Sequence, residues 1–340
     1  MNSMQRVLTA LSQKQPDRIP LMLLFSYYGA KEMGISIKEY FSNPDNVVEA
    51  QIQMHKKYKT DCLYAFFYAS LELEAFGGKT FFFDDGPPNS AEPIIENFQQ
   101  ILQLKTPEIQ ECHGIQKVLK TISALKREVA DTVPIIGVVM SPFSLPVMQL
   151  GFQKYLDLMQ FHPILWAHLM KINQQFCIAW ANAQLQAGAT AICYFDPVSS
   201  SSIIKPGYYR KTGFEVAKYT IGKINGPTAT HFASGRCKPV MADVIQTNTA
   251  IVGVSCLEDI GEIKNLCDGK LSVLGNLNGL AMCRWKEEEA EYAVKDIVER
   301  AGKNGGLLIA ENHGEIPYQV AEKTLFSIAS AVEKWGTGRI

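Results

Sequence analysis

The sequence predicts an α/β fold of the closed (β/α)8 TIM-barrel type, built as one domain over residues 1–340 with an N-terminal helical extension. Three observations carry this. Eight short apolar runs recur along the chain, amphipathic stretches separate most of them, and the whole length suits a single barrel. An open doubly wound sheet is the alternative, but eight strand–helix units over about 320 residues fit a closed barrel better.

The elements follow in order. Residues 4–13 read as the helical extension, with Val7, Leu8 and Leu11 on one face, and Pro16 ends it. Residues 19–25 are the first buried strand. Val47, Val48, Ile52 and His55 then recur at helical spacing over residues 46–58, and residues 62–68 form the next run. Six more runs lie at residues 134–140, 190–195, 228–233, 250–254, 271–274 and 306–310. Residues 164–187 and 286–301 are the clearest amphipathic helices, the second with a charged Glu/Lys face. Two segments break the rhythm. Residues 73–105 carry Phe81, Phe82 and Phe83 followed by Asp-Asp-Gly-Pro-Pro; they are too long for a plain βα loop and are expected to fold over the barrel mouth. Residues 140–146 are proline-rich and irregular.

Composition narrows the function classes. With 33 basic and 34 acidic residues the net charge is −1, which provides no electrostatic footprint for nucleic acid or an anionic membrane. No stretch reaches the roughly 18 apolar residues of a membrane helix. Residues 1–20 are polar and lack an apolar signal core, so a cytoplasmic protein is expected. The eight cysteines are scattered with no C-x-x-C pair, as expected of free thiols in a reducing compartment. There is no P-loop and no G-x-G-x-x-G, so a nucleotide cofactor has no support.

In a barrel the residue following each strand faces a common mouth. That rule collects Ser26, Tyr27 and Tyr28 after the first strand, Tyr68 to Glu74 after the second, Ser141 after the third and Asp196 with Ser199–Ser202 after the fourth. It adds His231 with Ser234, Gly235, Arg236 and Cys237 after the fifth, Ser255 and Cys256 after the sixth, Asn276 and Asn278 after the seventh, and Glu311, Asn312 and His313 after the eighth. Of six histidines, two therefore fall at strand ends. Imidazole is both a common zinc ligand and the usual base near neutral pH. The candidate catalytic set is His231, Asp196 and His313. The candidate substrate-binding set is Tyr27, Tyr68, Glu74, Ser141 and Asn276. The candidate metal set is His231 and His313, with Glu311 or Cys256 as third ligand. Plainer roles stand beside these: hydrogen-bonded structural histidines, a helix cap for Asp196, turn-forming serines, a solvated loop for Glu72 and Glu74, and packing for alternate aromatics.

Several ordered segments resemble one superfamily. These are Gln5–Ser12 with Pro16-Asp-Arg-Ile-Pro20, Gly34–Tyr40 with Asn43–Asn46, Glu72–Gly78 with Asp85–Pro88, Asp196-Pro197 with its serines, Gly275-Asn-Leu-Asn278, and Asn312-His-Gly-Glu-Ile-Pro317. Together they resemble the uroporphyrinogen-decarboxylase-like superfamily over nearly the whole chain. The decarboxylase branch has an Arg-rich motif after its first strand, which holds the porphyrinogen carboxylates. The matching stretch here, residues 25–31, has no arginine. The chain therefore looks closer to the corrinoid-dependent methyltransferases, which include methylcobalamin:coenzyme M methyltransferases and O-demethylases. That branch implies zinc held by His-x-Cys after strand five and Cys after strand eight. His231 matches the first ligand, whereas Ala233 and His313 stand where thiolates are expected.

The resemblance thus implies methyl transfer from a small O- or N-methyl donor, such as an aryl methyl ether, to cobalamin carried on a partner corrinoid protein. A free thiol is expected to be a poor substrate, because a site poor in thiolates is more Lewis acidic. The rivals are a decarboxylase acting on a smaller acid, a methylcobalamin:thiol methyltransferase and a non-catalytic binding protein that lost the metal.

Overall fold

The computed structural model describes residues 1–267 and 269–337. Seven parallel strands run in chain order: β1 (Leu63–Tyr64), β2 (Ile135–Met140), β3 (Ala191–Phe195), β4 (Thr228–His231), β5 (Ile251–Gly253), β6 (Ser272–Leu274) and β7 (Leu307–Leu308). The segment around Leu21 takes the eighth place. Met22 donates to the Ile309 carbonyl at 2.8 Å on one side, and Asp61 N–H donates to the Leu21 carbonyl at 2.7 Å on the other. The sheet therefore closes, and the expected barrel is the fold.

Helix α1 (Ser3–Leu11) is the extension. Its start is a reciprocal cap: Asn2 accepts from Gln5 N–H, and Gln5 accepts from Asn2 N–H. Val7 and Leu11 pack with Met22, Leu24, Tyr64, Ile136, Val138 and Leu308 inside the barrel, so α1 plugs its N-terminal end. Asp61, fully buried, anchors this plug by pairing with Arg6 and Arg18 at 2.6 Å each and by accepting from Leu21 N–H at 2.9 Å. A buried carboxylate needs this compensation.

The outer layer comprises α2 (Pro44–Tyr58), α3 (His113–Val129), α4 (Pro163–Ala187), α5 (Gly213–Ile221), α6 (Ile260–Cys267), α7 (Glu287–Ala301) and α8 (Glu322–Trp335), with only the short helix Met241–Val244 and its flanking turns behind β4. Among the described residues, no helix is long and apolar enough to cross a membrane. The eight cysteines are unpaired.

Seven of the eight apolar runs supply a strand, each shorter than the run, and residues 19–25 supply only the isolated bridge of Leu21 to Ile309. Residues 62–68 yield only Leu63–Tyr64, because the chain then turns into the helix Ser70–Ala75. The irregular segment over residues 73–105 contains a small hairpin, Thr80–Phe81 with Asn89–Ser90. Its Phe82 meets Tyr68 edge-on at 5.4 Å, and its Asp85 carbonyl accepts from Gln319 in the loop beyond β7 at 2.8 Å. It therefore lies at the C-terminal end of the barrel, where the mouth was expected.

Candidate active site

β4 ends on His231, which lines a cavity of about 40 Å³ inside the barrel together with Phe195, Glu311 and Gly314. Its ring is held on several sides. Phe195 stacks on it with centroids 5.5 Å apart and planes 19° apart. Gly253 of β5 lies beneath it: a Cβ there would come within 2.6 Å of Cδ2, so only hydrogen fits. Gly314, at φ +97°, lets the loop beyond β7 close over Phe195. Ala233, at φ +51°, turns back and donates its N–H to His231 Nδ1 at 3.0 Å. A left-handed alanine costs on the order of 1–3 kcal/mol, so the surrounding structure enforces this contact.

Burial, aided by the nearby His313, lowers the His231 pKa to about 4. Its ring is therefore neutral near pH 7. A neutral imidazole whose Nδ1 accepts an amide proton carries its own proton on Nε2. His313, half-buried, is held in the same way. The neighbours of Asn312 dictate its amide orientation: with its oxygen turned to Cys256 N–H (3.3 Å) and its nitrogen to the Leu277 carbonyl (3.0 Å), the amide donates to His313 Nδ1 (2.8 Å). Burial lowers the His313 pKa as well.

Two acids complete the site. Glu311 is 2% exposed and accepts from Leu24 N–H at 3.3 Å; burial, with the charge of Glu315 adding, raises its pKa to about 8. Glu315 accepts from the Ser26 hydroxyl, and burial raises its pKa to about 7. Tyr27 is buried beside it and stacks parallel to Tyr318 at 6.4 Å; desolvation and then Glu315 raise its pKa. Glu315 was not among the candidates drawn from the sequence. The only signal for it was the segment Asn312–Pro317, which placed it four residues beyond Glu311.

Other expected members lie elsewhere. Asp196 is 1% exposed and accepts from Ser141 Oγ at 2.6 Å and Ser144 Oγ at 2.7 Å. Its charge acts on Cys177, Tyr155, Tyr194 and Tyr209, in the layer behind the sheet. Asp196 and Ser141 therefore brace β2 against β3 and do not join the histidines. The reason is strand alternation: Phe195 points into the barrel, so its successor points away.

Asn276 donates to the Ser255 and Glu258 carbonyls at 2.9 and 3.1 Å, tying two loops together. Tyr68 packs against Phe41 and Phe82, away from the imidazole pair. Glu74, in the helix Ser70–Ala75, turns its carboxylate towards the start of α3, where a Cβ on Gly114 would be 3.4 Å from its Oε2, and towards Tyr68. Glu72 turns to the outside of the barrel and accepts from Met140 N–H at 2.8 Å.

The expected zinc set does not assemble. Glu311 is turned to Leu24 N–H, and Cys256 meets His313 only through Asn312. Among the described residues, no three His, Cys, Asp or Glu side chains converge as metal ligands. The donor chemistry agrees, since a ligand nitrogen must offer a lone pair and both free ring nitrogens here carry a proton.

Comparison with known proteins places this architecture. The sequence profile of the uroporphyrinogen decarboxylase (URO-D) family matches residues 2–335. Among characterised relatives, the uroporphyrinogen decarboxylase of Carboxydothermus hydrogenoformans is 28% identical over 305 residues, covering 84% of this chain and 83% of that protein. That of Geobacter sulfurreducens is 26% identical over 340 residues, covering 95% and 96%. Among solved structures, a methyltransferase from Methanosarcina mazei superposes with a TM-score of 0.87 at 17% identity, over 98% of this chain and 99% of its own. A B12-independent methionine synthase from Shewanella has a TM-score of 0.61 at 13% identity, over 87% and 89%. The closed barrel, the mouth formed at its strand ends and a profile match over almost every residue lead to one conclusion: the chain belongs to the uroporphyrinogen decarboxylase family.

Proposed function

We propose that this family member is a corrinoid-dependent methyltransferase, which moves a methyl group from a small methyl donor to the cobalt of a separate corrinoid protein. The observation that carries the reading is the character of the site. A neutral imidazole, His231, and a readily protonated carboxyl, Glu311, line the central cavity, and among the described residues no lysine or arginine joins them. Lys31, the one cation in residues 25–31, donates to the Tyr318 and Val320 carbonyls at 2.7 and 2.8 Å. A substrate bearing many carboxylates finds no partner in such a lining, whereas a leaving group that needs a hydrogen bond and a proton does.

When docked at the mouth, the reduced corrinoid of the partner protein would supply the electron pair that accepts the methyl group. The carbon–oxygen or carbon–nitrogen bond breaks with its electrons left on the leaving atom. His231 and His313 meet the growing charge as neutral hydrogen-bond donors, and Glu311 or Glu315, protonated near neutrality, supplies the proton. Phe195 and Tyr27 keep water from the charge that develops.

The test is optical. The purified chain is mixed with cob(I)alamin and a panel of O- and N-methyl compounds, and methylation of the corrinoid is followed by absorbance. Methylation that depends on both enzyme and donor is the expected result. Carbon dioxide release from a porphyrinogen or a smaller carboxylic acid, with no corrinoid methylation, would overturn the proposal.

A further inference from the structure

We infer that His231 and His313 act as a metal-free pair of Nε2–H donors whose tautomers are fixed by Ala233 N–H and Asn312, and that this pair selects an oxygen-linked methyl donor over an N-methyl one. The preference for oxygen rests on the methyl-transfer reading; the tautomers and the absence of a metal role do not.

Two hydrogen bonds carry the first half. A backbone N–H can only donate, so the 3.0 Å contact from Ala233 makes His231 Nδ1 an acceptor. Asn312 is equally constrained. Its oxygen must face Cys256 N–H, and its amide nitrogen must face the Leu277 carbonyl, which leaves the second amide proton for His313 Nδ1 at 2.8 Å. Each ring therefore presents Nε2–H.

A histidine that holds a metal through Nε2 shows the reverse arrangement, with Nδ1–H donating to a carbonyl or carboxylate. Reversing His231 would require breaking the Ala233 contact, which a left-handed alanine and the Gly253 and Phe195 packing all hold in place.

The second half follows from what two donors need. An ether, ester or phenolic oxygen offers two lone pairs. A methylammonium at neutral pH offers none and brings protons of its own. A buried donor left unpaired rejects such a ligand strongly. As the carbon–oxygen bond breaks, its electron pair stays on the oxygen. Both donors then strengthen, and the oxygen takes its proton from a carboxyl of the site.

Asn312 is a positioning residue in this scheme, and Asn312→Asp is its sharpest probe. An aspartate accepts where the amide donated, so the His313 proton should move to Nδ1 and free Nε2 as a lone-pair donor.

The experiment uses the full chain with ¹⁵N-labelled histidine, with assignments taken from His231→Gln and His313→Gln variants. Long-range proton–nitrogen spectra at neutral pH should show both rings protonated at Nε2. Asn312→Asp should reverse His313 and leave His231 unchanged. Zinc added and dialysed away should leave less than a tenth of an equivalent on the wild type. In the corrinoid assay, O-methyl donors should exceed N-methyl donors at least 100-fold in kcat/KM.

Protonation at Nδ1 in the wild type, or stoichiometric zinc, would overturn the donor pair whatever the activity. Equal use of both donor classes would overturn the oxygen selectivity. The expected tautomers with no methyl transfer from any donor would leave the pair standing and overturn the methyl-transfer reading.

Discussion

Glu72, outside the site, offers a test of how burial shifts an acid in this barrel, and it needs no substrate. It lies in the helix Ser70–Ala75 just beyond β1 and is 4% exposed. One oxygen accepts from Met140 N–H at 2.8 Å, and the Trp180 indole lies beside the carboxyl. Burial raises its pKa to about 8. The folded protein therefore holds this proton at pH 7, while the unfolded chain, with an ordinary carboxyl, has released it. The native state binds the extra proton, so stability falls as pH rises from about 4.5 to about 8 and then levels.

At ~1.36 kcal/mol per pH unit, that window sets a ceiling of ~5 kcal/mol. Glu72→Gln keeps the acceptor for Met140 N–H and cannot ionise. Urea denaturation of both proteins at pH 5, 7 and 8.5 isolates the effect, because Glu311 and the other acids titrate equally in each. The variant should match the wild type within about 1 kcal/mol at pH 5 and exceed it by roughly 3–5 kcal/mol at pH 8.5. A stability difference that stays constant with pH would show that Glu72 titrates as an ordinary carboxyl, and the reasoning would fail.

Three further outcomes are expected. Gly253→Ala places a methyl group 2.6 Å from His231 Cδ2, so it should displace the ring, cost ~1–3 kcal/mol in denaturation and lower methyl transfer about 100-fold, whereas unchanged kinetics would remove His231 from the chemistry. Asp196→Asn should lower the melting temperature, because it disturbs a buried acceptor of two serine hydroxyls, yet leave kcat within about threefold in the folded protein; a much larger kcat loss at an unchanged melting temperature would return Asp196 to the catalytic set. Because Glu311 and Glu315 must hold a proton to give it, the transfer rate should fall as pH rises through about 7 to 8, as measured in a buffered pH series; a rate that climbs across that interval would rule out the proton-donor role.

The sequence alone determined the barrel and its order. Apolar runs of strand length alternate with helical spacing, and eight such units leave few topologies. The run over residues 228–233 places His231 at a strand end, and the run over residues 306–310 places His313 just beyond one, so their meeting at one mouth was legible. Which way a strand-end side chain points was not. Asp196 and Ser141 also end apolar runs, yet the pleat that turns Phe195 onto His231 turns Asp196 to the helix layer, and a one-residue difference in parity decides which side of the wall a residue serves.

Tautomer and charge were also decided in three dimensions. Ser26 and Glu315 stand 289 residues apart and meet only because the barrel closes on its first segment. Asn312 orients His313 only because Cys256 N–H and the Leu277 carbonyl, from two other strand ends, leave its amide one way to face. Spacing along the chain identifies which groups can reach the mouth. The protons they hold there depend on burial and on backbone amides contributed by neighbouring strands, and only the closed barrel brings these together.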